Sequence, residues 1–355
     1  MIKRFAALLV VALAFGVLFA SAQEPGGGDT IKVDTRLVSV PVVVSDHNGR
    51  YVPNLTAANF TVLQDGAPQK IEFFAATEEP LTIALLIDTS HSTAPVLDDI
   101  KDSAKAFVKL LGPQDRAMIV CFDYDTHILS RLTSDHDQLN RAIKSAEIPD
   151  EFGTTLRDAA YQTVNRSFAG IKGRKAIIIL TDGKDVGSRI STPDLLYSLQ
   201  ETDTLIYTIM FKTGDRQAVQ RQTRFPGGNR RNGGIFGGGG GHGRGRFPGG
   251  GFPPVQNRRE NPQRKEHASR VNEAAQEFLQ KLSEVTAGRF YESKKGKLKN
   301  LFASIVEELR FQYRLGFYPP EDTSEKTLHE LKVKVDRSET VVRSRGSYRV
   351  QNKTN

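Results

Sequence analysis

The chain of 355 residues is 38% hydrophobic, with one cysteine and a formal charge of +8. That length accommodates two domains of roughly 100–200 residues each, and a single cysteine excludes a fold stapled by intrachain disulfides. The charge is local: residues 214–266 hold eleven Lys and Arg against three acids (+8) and Lys3-Arg4 add +2, so 8 − 8 − 2 leaves the rest near −2 and the folded body close to neutral.

Lys3 and Arg4 precede an apolar segment, 5–19, and Ala20-Ser21-Ala22 supplies small residues suited to cleavage, so 1–22 reads as a secretory signal peptide. The segment falls short of the ~20 apolar residues of a span, and nothing later in the chain is apolar enough to cross a membrane. A glycine-bearing linker, 23–30, follows. Residues 31–78 read as about four strands: 33–44 alternates Val and Leu, Asn48-Gly49 and Asp65-Gly66 are hairpin signals, and FTVL (60–63) and KIEFFA (70–75) follow them.

From 79 to 312 the pattern changes to strands alternating with helices, the mark of a doubly wound α/β sheet. The run LTIALLI (81–87) is uncharged and largely aliphatic and reads as a strand buried on both faces. It ends in Asp88, Ser90 and Ser92, at the strand edge where open α/β sheets bind ligands. An amphipathic helix, 96–111, is followed by a strand, 117–122, an antiparallel edge strand, 127–132, and a helix, 137–145. A loop carrying Thr154 leads to a helix, 156–168. The second buried strand, 175–180, ends in Thr181-Asp182-Gly183; then come a helix at 194–201, a strand at 205–211, a helix at 268–286, a short strand at 289–291 and a last helix at 298–311.

Inside that region, 214–266 carries 15 of the 31 glycines together with its arginines and cannot bury enough apolar surface to order itself. It reads either as a tolerated disordered insertion or as a surface for an anionic polymer; export argues against nucleic acid. The tail, 313–350, alternates again in YRLGFYP (313–319), LHELKVKV (328–335) and TVVRS (340–344). Neither β segment is long enough to bury a stable core alone. Pairing 31–78 with 313–350 into one β-sandwich, with 79–312 inserted between them, removes the difficulty.

The order Asp-x-Ser-x-Ser, a mid-domain Gly-Thr and a later Thr-Asp-Gly resembles the von Willebrand factor type A domain and its metal-ion-dependent adhesion site. From about Val33 to Val350 the chain also resembles exported proteins of that kind common in Acidobacteria. The resemblance implies that Asp88, Ser90, Ser92 and Thr154 ligate a divalent cation directly or through water, with Asp182 behind them. Small hard cations take oxygen ligands, so Mg²⁺, or Mn²⁺ or Ca²⁺, fits that set. It implies a protein partner that offers a carboxylate. His91 departs from the family's usual Gly and reads as a loop residue.

Taken singly, these residues have plainer roles. Ser90 and Ser92 also suit capping of the next helix, and Asp182-Gly183 suits a turn. Asp123, Asp125 and Asp135 read as solvated loop acids. Asp158 reads as a support for the Thr154 loop or a first-turn acid, and Cys121 as a small core residue. No G-x-S-x-G elbow, phosphate loop or zinc-ligand spacing is present, so no residue set argues for an enzyme. Two readings follow: an exported, metal-dependent adhesion module, or a structural or assembly subunit of an envelope complex with a vestigial or regulatory metal site.

Overall fold

The computed structural model describes residues 37–76, 79–213, 262–293, 298–320 and 327–349, and Leu37–Asn355 form one compact unit. The leader at 1–22, the linker at 23–30 and 214–261 of the insertion lie outside the described residues.

Four strands open the described chain: β1 (Val38–Asp46), β2 (Phe60–Gln64), β3 (Ala67–Gln69) and β4 (Phe73–Ala75). Asp65 and Gly66 turn β2 into β3 with φ of 50° and 83°. Two successive positive φ values are what a two-residue hairpin turn needs to match strand twist, and Asp-Gly adopts them cheaply.

The central region runs β5 (Leu81–Asp88), α1 (Leu97–Val108), β6 (Arg116–Phe122), β7 (Thr126–Thr133), α2 (His136–Lys144), α3 (Leu156–Gln162), β8 (Arg174–Thr181), α4 (Thr192–Gln200), β9 (Leu205–Met210), α5 (Pro262–Val285), β10 (Phe290–Glu292) and α6 (Leu298–Arg310). Its sheet has the order β10-β9-β8-β5-β6-β7, parallel except for β7. All eight residues of β5 are buried. Leu81, Ile83, Leu85 and Ile87 face a core shared with α1, α2 and α6, while Ala84 and Leu86 face one shared with α3, α4 and α5. Strand alternation thus divides one apolar run between two helical layers, which gives the doubly wound fold its continuous hydrophobic strand.

Several boundaries differ from the sequence reading for identifiable reasons. Asp135 is not a bare loop acid: its carboxylate accepts from the N–H groups of Asp137 and Gln138 and caps α2. Beyond α3 the chain continues as a π-helical turn, Thr163–Ser167. Helix α5 starts at Pro262, so 262–266 are helical and not part of a structureless insertion. Cys121 is buried in the core facing α1, and burial pushes its thiol up to about 12, so it stays an inert packing residue.

Gly288 lies where the chain leaves α5 and passes over β9. A Cβ there would stand 1.9 Å from the Ile206 carbonyl oxygen, a backbone atom that cannot step aside. Gly288→Ala is therefore expected to cost about 3 kcal/mol, at the upper end of overpacking penalties, read as a lower urea midpoint with an unchanged slope; an unaltered midpoint would show that the crossing is loose.

The tail supplies β11 (Tyr313–Phe317), β12 (His329–Val335), β13 (Thr340–Ser344) and β14 (Ser347–Tyr348). These form two antiparallel four-stranded sheets with the opening strands, in the orders β13-β1-β11-β4 and β14-β12-β2-β3. Each sheet takes strands from both chain ends, and the shared core joins Val40, Val42, Phe60 and Val62 to Tyr313, Leu315, Phe317 and Tyr348. The Tyr313 hydroxyl donates to the Val52 carbonyl at 2.8 Å and accepts from the Leu55 N–H at 3.1 Å, which ties the tail to the β1–β2 connection. The fold is thus a type A-like α/β domain set into a β-sandwich built from the two ends of the chain.

Two buried arginines hold the junctions. Arg174, at the start of β8, donates to the carbonyls of Leu309, Arg310 and Gln312, satisfying groups that the end of α6 leaves open. Arg345 donates to the carbonyls of Thr202, after α4, and of Ser39, in β1.

Candidate metal centre

Strand β5 lies between β8 and β6, so its last residue opens onto the carboxyl edge of the sheet with a parallel neighbour on each side. Asp88 is that residue, and it is fully buried. Its Oδ1 accepts from the Ser90 N–H at 2.9 Å and its Oδ2 from the Thr181 hydroxyl, at the end of β8, at 2.6 Å. The turn after β5 is closed by Thr93, whose hydroxyl donates to the carbonyls of Asp88 and Ser90 at 2.9 and 2.8 Å. That turn brings the Ser90 and Ser92 hydroxyls to 3.0 Å of each other. Neither serine caps α1, which carries no side-chain cap. Asp88, Ser90 and Ser92 therefore lie together as one oxygen cluster.

Thr154 reaches this edge on the loop before α3. Its N–H and carbonyl pair with the Val186 backbone, 3.0 and 2.9 Å, and the next N–H, of Thr155, donates to the Asp123 carbonyl at 2.7 Å. Gly153 allows the approach: a Cβ there would meet the Tyr124 Cα at 2.8 Å. Thr154 is buried. Its place is thus set by backbone contacts to the loops after β8 and β6.

Asp182 is held by neighbours of its own. It is 1% exposed, and its oxygens accept from the Lys184 N–H (3.2 Å), the Lys184 ammonium (2.8 Å) and the Thr213 hydroxyl (2.8 Å). Thr181, not Asp182, makes the direct hydrogen bond to Asp88. Burial, and then the field of Asp182, push the Asp88 carboxyl up to about 6, against the opposing hydrogen bonds from Ser90 and Thr181. A buried acid in that state is short of positive charge.

Three neighbours went unrecognised in the sequence or were read otherwise. Thr181 was read only as the polar end of a strand, and Lys184 was not singled out. Asp123, expected in solvent, is 3% exposed: its carboxylate accepts from the Thr89 hydroxyl at 2.9 Å and contacts His127 Nε2 at 3.0 Å, so it links the Asp88 and Thr154 loops. Asp158 accepts from the N–H groups of Arg189 and Ile190 and so anchors the segment after β8 to the first turn of α3. His91 stacks on Phe152, ring centres 4.1 Å apart, and its imidazole belongs to the rim.

Among the described residues no three His, Cys, Asp or Glu side chains converge as a metal cage. One buried carboxylate beside two hydroxyls is instead a set of hard oxygen donors with little charge. It suits a small divalent cation that keeps some of its waters. The residues present fit such an ion.

Residues 83–184 match the family profile described as von Willebrand factor type A domain. No curated protein matches the chain. Among solved structures, the conserved hypothetical protein BatB from Bacteroides thetaiotaomicron is similar at 17% identity and TM-score 0.42, over 64% of this chain and 98% of that one. The proximal thread matrix protein 1 of the mussel byssus, with a zinc-occupied MIDAS motif, gives 16% and 0.44 over 69% of this chain and 49% of its own. The vWF domain of the type V pili tip protein Mfa5 from Porphyromonas gingivalis gives 12% and 0.42, over 65% and 95%. The matched stretch spans β5 to the loop after β8, the part of the chain that builds the oxygen cluster, and the central domain has a von Willebrand factor type A-like α/β fold.

Proposed function

We propose that the chain is an exported, non-catalytic adhesion module whose type A domain binds a divalent cation and, through it, a carboxylate of a protein partner. The observation that carries this reading is the cluster at the end of β5: a buried Asp88 carboxylate with the Ser90 and Ser92 hydroxyls 3.0 Å apart. With Asp88 the only anionic ligand and Thr154 completing the oxygen set, a bound Mg²⁺ or Mn²⁺ keeps net positive charge and attracts an external acid. Lys3, Arg4 and the apolar segment behind them support export. No described helix is long and apolar enough to cross a membrane.

The assembly-subunit reading retains one specific support, the Lys184 ammonium already seated on Asp182. Calorimetric titration of the chelator-treated protein with Mn²⁺ separates the two. One cation is expected to bind with a dissociation constant at or below about 1 mM, and Ser90→Ala with Ser92→Ala to weaken it at least about tenfold. A partner retained from an envelope extract should elute with chelator. If no divalent cation binds at millimolar concentration, the adhesion reading fails and the assembly reading stands.

A further inference from the structure

Lys184 is a charged group at the site for which cation binding has no evident use. Its ammonium lies 2.8 Å from Asp182 Oδ2 and also donates to the Thr213 hydroxyl at 3.2 Å. Its own N–H meets the other oxygen of Asp182. Held at these points, and with its side chain 29% exposed, it is a seated counter-ion and not a swinging surface lysine.

The charge count then has a definite outcome. Asp88 and Asp182 contribute −2 and Lys184 +1, a sum of −1. Arg157 and Asp185 pair with each other and add nothing. Asp123 is engaged by the Thr89 hydroxyl and by His127, and it is counted with neither Asp88 nor Asp182. A divalent cation brings −1 to +1, and one monoanionic carboxylate brings +1 to neutrality. Without Lys184 the loaded site is already neutral, and the same carboxylate would leave it negative.

We infer that Lys184 sets what the loaded site accepts: its charge weakens the hold on the cation itself and strengthens the hold of the loaded site on a monoanionic carboxylate. This rests on the metal-dependent reading given above and deepens it, because it makes cation affinity and carboxylate affinity respond to one residue in opposite directions. Two unit charges ~10 Å apart at an effective dielectric of ~20 interact strongly enough to shift an equilibrium by about tenfold, which sets the size of effect to be read.

The test uses the full chain, chelator-treated, with Mn²⁺ as the probe and acetate as the carboxylate. Mn²⁺ affinity is measured by calorimetry over a series of acetate concentrations in the wild type, Lys184→Met, Lys184→Gln and Lys184→Arg. In the wild type, acetate is expected to raise the apparent Mn²⁺ affinity. Lys184→Met should bind Mn²⁺ about tenfold more tightly without acetate and lose about tenfold of the acetate effect. Lys184→Gln, which keeps a donor for Asp182 without the charge, should do the same, and so covers the case in which the Met variant does not fold. Lys184→Arg should retain both wild-type behaviours. If the neutral variants bind Mn²⁺ as the wild type does, or gain in both affinities together, the role of Lys184 is wrong while the metal site stands. If the wild type itself binds no Mn²⁺, the metal reading falls and this inference falls with it.

Discussion

Asp88→Asn is expected to raise the stability of the metal-free protein at pH 7.5 by about 1–2 kcal/mol while abolishing cation binding. Burial and Asp182 move the Asp88 carboxyl from 3.8 to about 6 in the folded chain. A raised carboxyl means that the folded state holds the proton more tightly than the unfolded state between those two values. Stability from this group is therefore greatest below about pH 4, falls as pH rises to about 6, and is constant above that. A rise of that size corresponds to about 3 kcal/mol.

Asn is neutral throughout and can still accept from the Ser90 N–H. It reverses the bond to Thr181 and forfeits roughly 1 kcal/mol there. Urea unfolding in chelator should thus show the variant ahead at pH 7.5 and the advantage gone by pH 4.5. Millimolar Mg²⁺ should stabilise the wild type by mass action and leave the variant unchanged. A variant equally destabilised at both pH values would mean that the hydrogen bonds to Asp88 outweigh its burial, and that the site is not short of a cation.

That prediction depends on contacts the sequence showed only in part. The run 81–87 announces its own burial, because a continuous aliphatic stretch with a single Thr leaves neither face of a strand for water, and Asp88 at its end is exceptional for that reason. The two-ended sandwich was legible through a size argument, since neither β segment could close a core alone. Thr181 was not, because a threonine at a strand end has nothing in its local pattern to distinguish a hydroxyl that bonds a buried carboxylate from an ordinary β-former. Lys184 and Thr213 meet across the loops after β8 and β9, a tertiary contact with no local signature. The start of α5 did have a signal: Pro262 followed by charged helix formers is a common first turn, and the glycine-rich composition just before it obscured that.

Ending the chain after Gln312 is expected to melt the sandwich and spare the type A domain. In the sheet β13-β1-β11-β4 the cut removes both partners of β1 and the only partner of β4, and in β14-β12-β2-β3 it leaves the β2–β3 hairpin alone. A lone hairpin is marginal in water. The shared core loses Tyr313, Leu315, Phe317, Leu331, Val333 and Tyr348, six of its fourteen buried residues. At roughly 1.5–3 kcal/mol for each large side chain, that exceeds the whole net stability of an ordinary domain. The two cores of the type A domain, in contrast, contain no buried residue before Leu81 or after Leu309. A stop at Gln312 also keeps the three carbonyls that Arg174 holds. The domain does lose the Arg343 contact to Glu308 and the Arg345 contact to Thr202, so its own stability should fall by a few kcal/mol without collapse. Hydrogen exchange separates the two regions: amides of β1 and β2 should exchange as in an unfolded chain while those of β5 and β8 stay protected. Protection surviving in β1 would show that the N-terminal strands form a core of their own, and loss of protection in β5 would show that the type A domain cannot stand without the sandwich around it.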